Sequence, residues 1–331
     1  MMSRMARVGV DRPEGGFEWH DGERTIRFGR GAAQDCGDLL GTGYVLLTTP
    51  RTRGMLPLVE ESASEIIDVP AGFVDVVSAE LLPRVQAVQG LLVALGGGRV
   101  VDTGKALAAA TGRATASIPT TLSAAEMTWI HRHVEGVEPV PDFVRPRVVI
   151  NDPALCASQP GAGLAASAAN SLGHAVEASV TTLASPVPTL AAREASRLIG
   201  QAYASAEPDR DALALASLLS GYALDASWYG IHHVMAQTLV RVAGVAHGQA
   251  NAVILPHTMR AIAGRGHELI ADITLAQRLA ELAGATRLSM LGVDDELLDL
   301  CAETAAQRPE LANTPPVADA KEIREIYAQA H

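Results

Sequence analysis

The stretch that decides the fold is Leu91-Leu92-Val93-Ala94-Leu95-Gly96-Gly97-Gly98-Arg99-Val100-Val101-Asp102-Thr103-Gly104-Lys105. An apolar run, Leu91 to Leu95, enters three adjacent glycines, and a helix-compatible stretch, Val100 to Ala110, leaves them. A short apolar run bounded by turn residues reads as a buried strand. Glycines let a backbone approach an anionic group closely and present amides to it, and a helix start behind them adds a favourable dipole. Strand, glycine turn and helix in that order predict a phosphate-bearing cofactor at the bend. The spacing is not G-x-G-x-x-G, so it does not indicate an ordinary Rossmann domain. Asp102 and Lys105 fall in the first turns of the helix, at the mouth of the expected cleft.

Working outward, residues 44–49, 65–69, 116–119 and 148–150 read as further strands, 25–29 as an edge strand, and 81–89 as a helix. Strands alternating with helices imply a parallel sheet with helices on its faces. After Asp152-Pro153 the strand signals stop. Alanine- and leucine-rich patterns predict helices over 162–181, 187–206, 209–228, 230–242, 251–263, 267–284, 293–306 and 319–329. The expectation is an α/β domain over 1–153 and an all-α domain over 154–331. Residues 135–146 read as a proline-rich loop, and no 20–50-residue repeat is visible.

The 331 residues are 48% hydrophobic, enough for two cores, and carry a formal net charge of −11. That charge argues against nucleic acid or an anionic membrane as the main partner. Cys36, Cys156 and Cys301 stand far apart and make no short metal motif, which fits a reducing cytoplasm. Residues 1–20 carry Arg4, Arg7, Asp11, Arg12 and Glu14 without a signal-peptide core, and no apolar run is long enough to span a membrane.

The helical half holds the other polar signals. Asn170 and His174 are four apart and share one helical face, as do His233 and Gln237; His247-Gly248 follows ten residues after Gln237. Imidazole nitrogens suit zinc or iron, but a lone histidine on an apolar face is more often a hydrogen-bonded core residue. His131, Arg132, His133 and His257 are candidate contacts for a substrate carboxylate.

Taken together the chain resembles the iron-containing alcohol dehydrogenase family, and within it the maleylacetate reductase branch. The resemblance runs over roughly residues 22–330. It rests on Gly96-Gly97-Gly98 with Asp102 and Lys105, Ile118-Pro119-Thr120-Thr121, Ala125-Glu126-Met127-Thr128, Asn151-Asp152-Pro153, Asn170 to Glu177, His233, His247-Gly248, Asn251 to Pro256 and Asn313-Thr314-Pro315-Pro316. It implies an N-terminal α/β domain binding NAD(H) or NADP(H), a helical C-terminal domain, and a small carbonyl or alcohol substrate in the cleft between them. It implies that the glycine turn holds the pyrophosphate and that Thr120 and Thr121 line the nicotinamide side. A homodimer is the family's usual state.

The family's four metal-ligand positions fall on Asn170, His174, His233 and His247, where Asn170 replaces an aspartate. A neutral amide is a poorer ligand than a carboxylate. The reading therefore leans toward a metal-free mechanism in which His174, His233 and His247 polarise the carbonyl by hydrogen bonding or as imidazolium. Gln237 stands where the family often has a further histidine facing substrate. The first strand ends Thr48-Thr49-Pro50-Arg51, without the acid that meets a ribose hydroxyl; Arg51 and Arg53 would tolerate a 2′-phosphate. Three other readings stay open: a tailoring dehydrogenase of a specialised metabolite or peptide pathway, a lyase or cyclase like the dehydroquinate synthase relatives of this fold, and a catalytically drifted NAD-binding protein.

Overall fold

The computed structural model describes residues 16–138 and 143–331. The charged N-terminal residues and part of the proline-rich loop lie outside the described residues. In chain order the strands are β1 (Phe17–Asp21), β2 (Arg24–Phe28), β3 (Tyr44–Thr48), β4 (Ala63–Asp68), β5 (Leu92–Gly96), β6 (Thr115–Pro119) and β7 (Val148–Asn151). Helices α1 (Gly37–Leu40), α2 (Pro57–Glu61), α3 (Val74–Gln86) and α4 (Gly98–Thr111) are interleaved with them. The helical region comprises α5 (Pro153–Cys156), α6 (Gly161–Ala178), α7 (Pro186–Ala202), α8 (Arg210–Ser227), α9 (Ile231–Val242), α10 (His247–Gly264), α11 (Ile273–Leu282), α12 (Asp295–Ala306) and α13 (Ala320–Gln329).

The sheet runs β1-β2-β7-β6-β5-β3-β4, parallel except for the β1–β2 hairpin. Every residue of β3, β5 and β6 is buried, as expected of strands covered on both faces. β3 pairs with both β4 and β5. The chain therefore leaves β3 toward one edge of the sheet and leaves β5 toward the other. Loops that diverge in this way open a crevice at the carboxyl ends of the two strands, where α/β sheets bind ligands.

The structure departs from the expected elements at several points. β1 was absent from the sequence reading; its Phe17 stacks on Phe28 at 5.1 Å, and its Trp19 meets Tyr222 of α8 edge-on at 5.3 Å. α3 begins at Val74 rather than at 81, two residues after Gly72, whose φ of +145° few other residues adopt. α10 begins at His247 rather than at 251, which places His247 and Asn251 one turn apart on one helix.

The strap between β6 and Ile130 joins the two halves. Lys105 of α4 is fully buried and donates from Nζ to the carbonyls of Ala125 (2.8 Å), Thr128 (3.0 Å) and Ile130 (2.8 Å), with Asp102 at 2.8 Å as counter-ion. From the other side, Asp225 of α8 accepts from the Trp129 amide (2.8 Å) and from Arg145 (2.7 Å). α8 packs against the strap at Gly221, where a Cβ would stand 2.7 Å from that of Ala124.

Candidate active site

The crevice at the ends of β3 and β5 is a cavity of about 550 Å³. Thr49, Pro50, Arg51 and Thr52 wall one side, Val69, Pro70 and Ala71 a second, and Gly97, Gly98, Arg99 and Val100 a third. Thr52 shapes the turn after β3. Its hydroxyl bonds the hydroxyls of Thr48 (2.8 Å) and Thr49 (2.9 Å) and accepts from the Thr49 amide (3.0 Å). The glycines serve close approach rather than unusual φ. A Cβ on Gly96 would meet Val100 at 2.6 Å, one on Gly97 would meet Thr121 at 3.1 Å, and one on Gly98 would meet Ser123 at 2.9 Å. Gly97 caps α4 without a side-chain hydrogen bond, so no side chain competes there for the helix's first amides. Thr120 is buried, donates its amide to Gly96 O at 2.9 Å, and its hydroxyl has no partner. Lys105 is spent on the strap with Asp102 as its counter-ion, and neither lines the cavity, so the expectation of both at its mouth is not met.

In the helical half, α6 and α9 bring His174 and His233 together, with rings stacked 4.7 Å apart at 23°. Gly173 allows this approach, because a Cβ there would lie 2.6 Å from His232 Nε2. His232 is a core histidine. Its Nδ1 faces Thr258 Oγ1 at 2.9 Å and its Nε2 faces Asn251 Oδ1 at 3.1 Å. The same Asn251 reaches His247 Nε2 at 3.2 Å. Glu177, fully buried, accepts from the amides of Gly230 (3.1 Å) and His232 (2.7 Å) and lies 2.5 Å from His233 Nδ1. Burial, with His247 adding to it, lowers His233 to about 3; burial likewise takes His232 to about 3 and His174 well below the ordinary imidazole value. Burial thus favours the neutral rings, and of the two expected forms it supports hydrogen bonding over imidazolium. With Glu177 accepting from Nδ1, His233 keeps the Nε2 lone pair free, and that buried atom has no partner.

Asn170 Oδ1 is likewise buried and unpartnered. Among the described residues no three His, Cys, Asp or Glu side chains enclose an ion by themselves. Even so, an unsatisfied imidazole lone pair and an unsatisfied amide oxygen suit the needs of a cation. The expectation of a metal-free site draws no support from this arrangement.

Gln237 lies one turn beyond His233 and accepts from Arg308 Nη2 at 3.2 Å. Arg308 also reaches Tyr229 Oη (3.0 Å) and Glu310 (2.7 Å), and Tyr229 donates to Glu310 at 2.9 Å. Tyr229 stands 6.1 Å from the His233 ring. Sequence reasoning missed Tyr229, Arg308 and Glu310, since nothing local ties residues 308–310 to 237. Glu177, three after His174, had a findable signal in that spacing. His131 is occupied at both nitrogens, by Arg132 O (2.8 Å) and the Val144 amide (3.1 Å). His257 is half-buried within α10, with Arg260 3.5 Å from its Nδ1.

Residues 164–283 match the Fe-containing alcohol dehydrogenase family, C-terminal, and residues 60–128 match iron-containing alcohol dehydrogenase. A maleylacetate reductase of Burkholderia cepacia is 34% identical over 260 residues, covering 72% of this chain and 73% of its own. The chain belongs to the iron-containing alcohol dehydrogenase family. That family is one of NAD(P)-dependent dehydrogenases and reductases, and the α/β sheet with a helical C-terminal region is its fold. A 1,3-propanediol dehydrogenase of Klebsiella pneumoniae is 36% identical over 213 residues, and the matched part spans 55% of that relative, about half its length. Among solved structures, maleylacetate reductase from Agrobacterium tumefaciens aligns over 95% of this chain and 97% of its own, with a TM-score of 0.80 and 25% identity. No described helix is long and apolar enough to cross a membrane.

Proposed function

We propose that the chain transfers a hydride between C4 of a nicotinamide dinucleotide and the carbonyl carbon of a small oxo acid, as a maleylacetate reductase-like enzyme. One observation carries this reading. Ser171 of α6, next to Asn170, donates to Leu122 O at 3.5 Å, and Thr121 beside Leu122 borders Gly97, so the helix that carries Asn170 and His174 adjoins the glycine turn. The glycine turn, with Thr49 and Pro50, receives the cofactor, and Thr120 and Thr121 border its reactive end. Two reactants held in one cleft need little further reorganisation to react.

In the oxidative direction His233 Nε2 accepts the alcohol proton as hydride leaves, and Glu177 at Nδ1 stabilises the cation that forms. Reduction runs the same steps backward: His233 returns the proton to the developing alkoxide. His174 and His247 border the same oxygen. Gln237 cannot move protons near neutral pH; held by Arg308, it orients the substrate. Asn170, His174, His233 and His247 are the positions that would hold a divalent cation; it would take up the His233 Nε2 lone pair and supply Lewis acidity to the carbonyl in place of that proton transfer. The neutral Asn170 makes that hold weaker than a carboxylate would.

The same proposal takes the boundary of the two domains near Pro153 and the working state as a homodimer in the cytoplasm. The three cysteines, all buried and unpaired, support a reducing compartment. The test is nicotinamide absorbance across a panel of oxo acids, ketones and alcohols, with protein as purified, after chelation, and after addition of zinc or ferrous iron. Net cofactor turnover is expected with an oxo acid. Dinucleotide binding without turnover on any substrate supports the drifted reading, and no dinucleotide binding overturns both.

A further inference from the structure

We infer that the cavity at the ends of β3 and β5 selects NADP(H) over NAD(H), with Arg51 and Arg99 gripping the 2′-phosphate. The inference rests on the oxidoreductase reading above and deepens it.

Arg51 and Arg99 both line this cavity, Arg51 from the turn after β3 and Arg99 from the first turn of α4. Both are exposed, and neither forms an ion pair or side-chain hydrogen bond among the described residues. No carboxylate lines the cavity. A site that reads a free ribose diol places an acid at the end of the first strand, whereas a 2′-phosphate calls for arginine. Here the corresponding positions are Thr49 and Pro50. The carboxylate at the end of the neighbouring strand, Asp68, is paired with Thr48 in register but neutralised by Arg53 Nε at 2.8 Å.

That pairing separates the arginines that the sequence left equivalent. Arg53 is spent on Asp68, which leaves Arg51 free on the turn. Thr52 holds this turn through its bonds to Thr48 and Thr49, so Arg51 is presented from a fixed backbone. A planar guanidinium meets phosphate oxygens bidentately, and two arginines lining one cavity match the charge of a phosphate monoester dianion.

The test is calorimetric titration of the full chain with NADP⁺ and with NAD⁺, for the natural protein and for Arg51→Ala, Arg51→Glu and Arg99→Ala. Both side chains are exposed, so thermal melting is expected to stay unchanged and serves as the folding control. The natural protein is expected to bind NADP⁺ at least about tenfold tighter than NAD⁺. Arg51→Glu is expected to bring the ratio of the two affinities to one or below, with each alanine variant in between. NAD⁺ binding as tightly as NADP⁺, or variants that weaken both dinucleotides equally, would overturn the inference and leave the oxidoreductase reading standing. If neither dinucleotide binds, both fall.

Discussion

Glu177 Oε2 lies 2.5 Å from His233 Nδ1, and the same carboxylate accepts the amides of Gly230, His232 and His233 at the start of α9. A side chain from α6 thus caps a neighbouring helix and fixes the tautomer of the ring at that helix's third residue. A carboxylate behind a histidine is the arrangement that orients imidazoles for a cation or a substrate.

Glu177→Gln tests this. The amide keeps the shape but turns one acceptor into a donor facing N–H groups. Stability is expected to fall by about 2 kcal/mol. Turnover is expected to fall by about 10–100-fold with KM little changed. Thermal melting and steady-state kinetics check the two effects.

Gly173→Ala places a methyl group against His232 at a distance no real contact has. α6 and α9 must separate, or His232 must give up Asn251. A loss of about 1–3 kcal/mol is expected from overpacking. A melting curve measures it, and Gly248→Ala, whose added carbon would sit 3.2 Å from the Ala166 side chain, is the milder comparison.

Glu126 is fully buried, and burial raises its carboxyl to about 7. One oxygen accepts from Asn151 Nδ2 at 3.1 Å; the other has no partner. With its folded value above the unfolded one, the native state binds the extra proton. Stability should therefore fall as pH rises from about 4.5 to 7 and then level off. Glu126→Gln stays uncharged throughout and should flatten that segment of the curve, as read by denaturant midpoints across the range.

Lys105→Met keeps the length and removes the ammonium. Three strap carbonyls and Asp102 lose their partner inside the protein. A cost of about 3–5 kcal/mol is expected, as for one partner of a buried charge pair. Urea unfolding measures it.

Much of the architecture was legible. β3 and β5 are nearly continuous apolar runs, and the helices after Pro153 carry plain periodicity. β1 was missed although Phe17 and Trp19 alternate with Glu18 and His20 ahead of an Asp21-Gly22 turn; none of its residues is fully buried, so no apolar run marks it. α11 was drawn from 267 to 284, but Asp272 accepts the Thr274 amide at 2.9 Å and starts the helix there. The site was legible through spacing only in part. Asn170 and His174 share a helical face, yet their meeting with His233 depends on Gly173, and the bond between Gln237 and Arg308 joins residues that no local pattern links.

The doubly anchored strap has a kinematic consequence. Fastened by an ammonium from beneath and by Asp225 from the opposite flank, it acts as a rivet and not as a pivot. A dinucleotide would then enter and leave past the rim turns after β3 and β4 that wall the cavity, and not through a sweeping closure of two lobes.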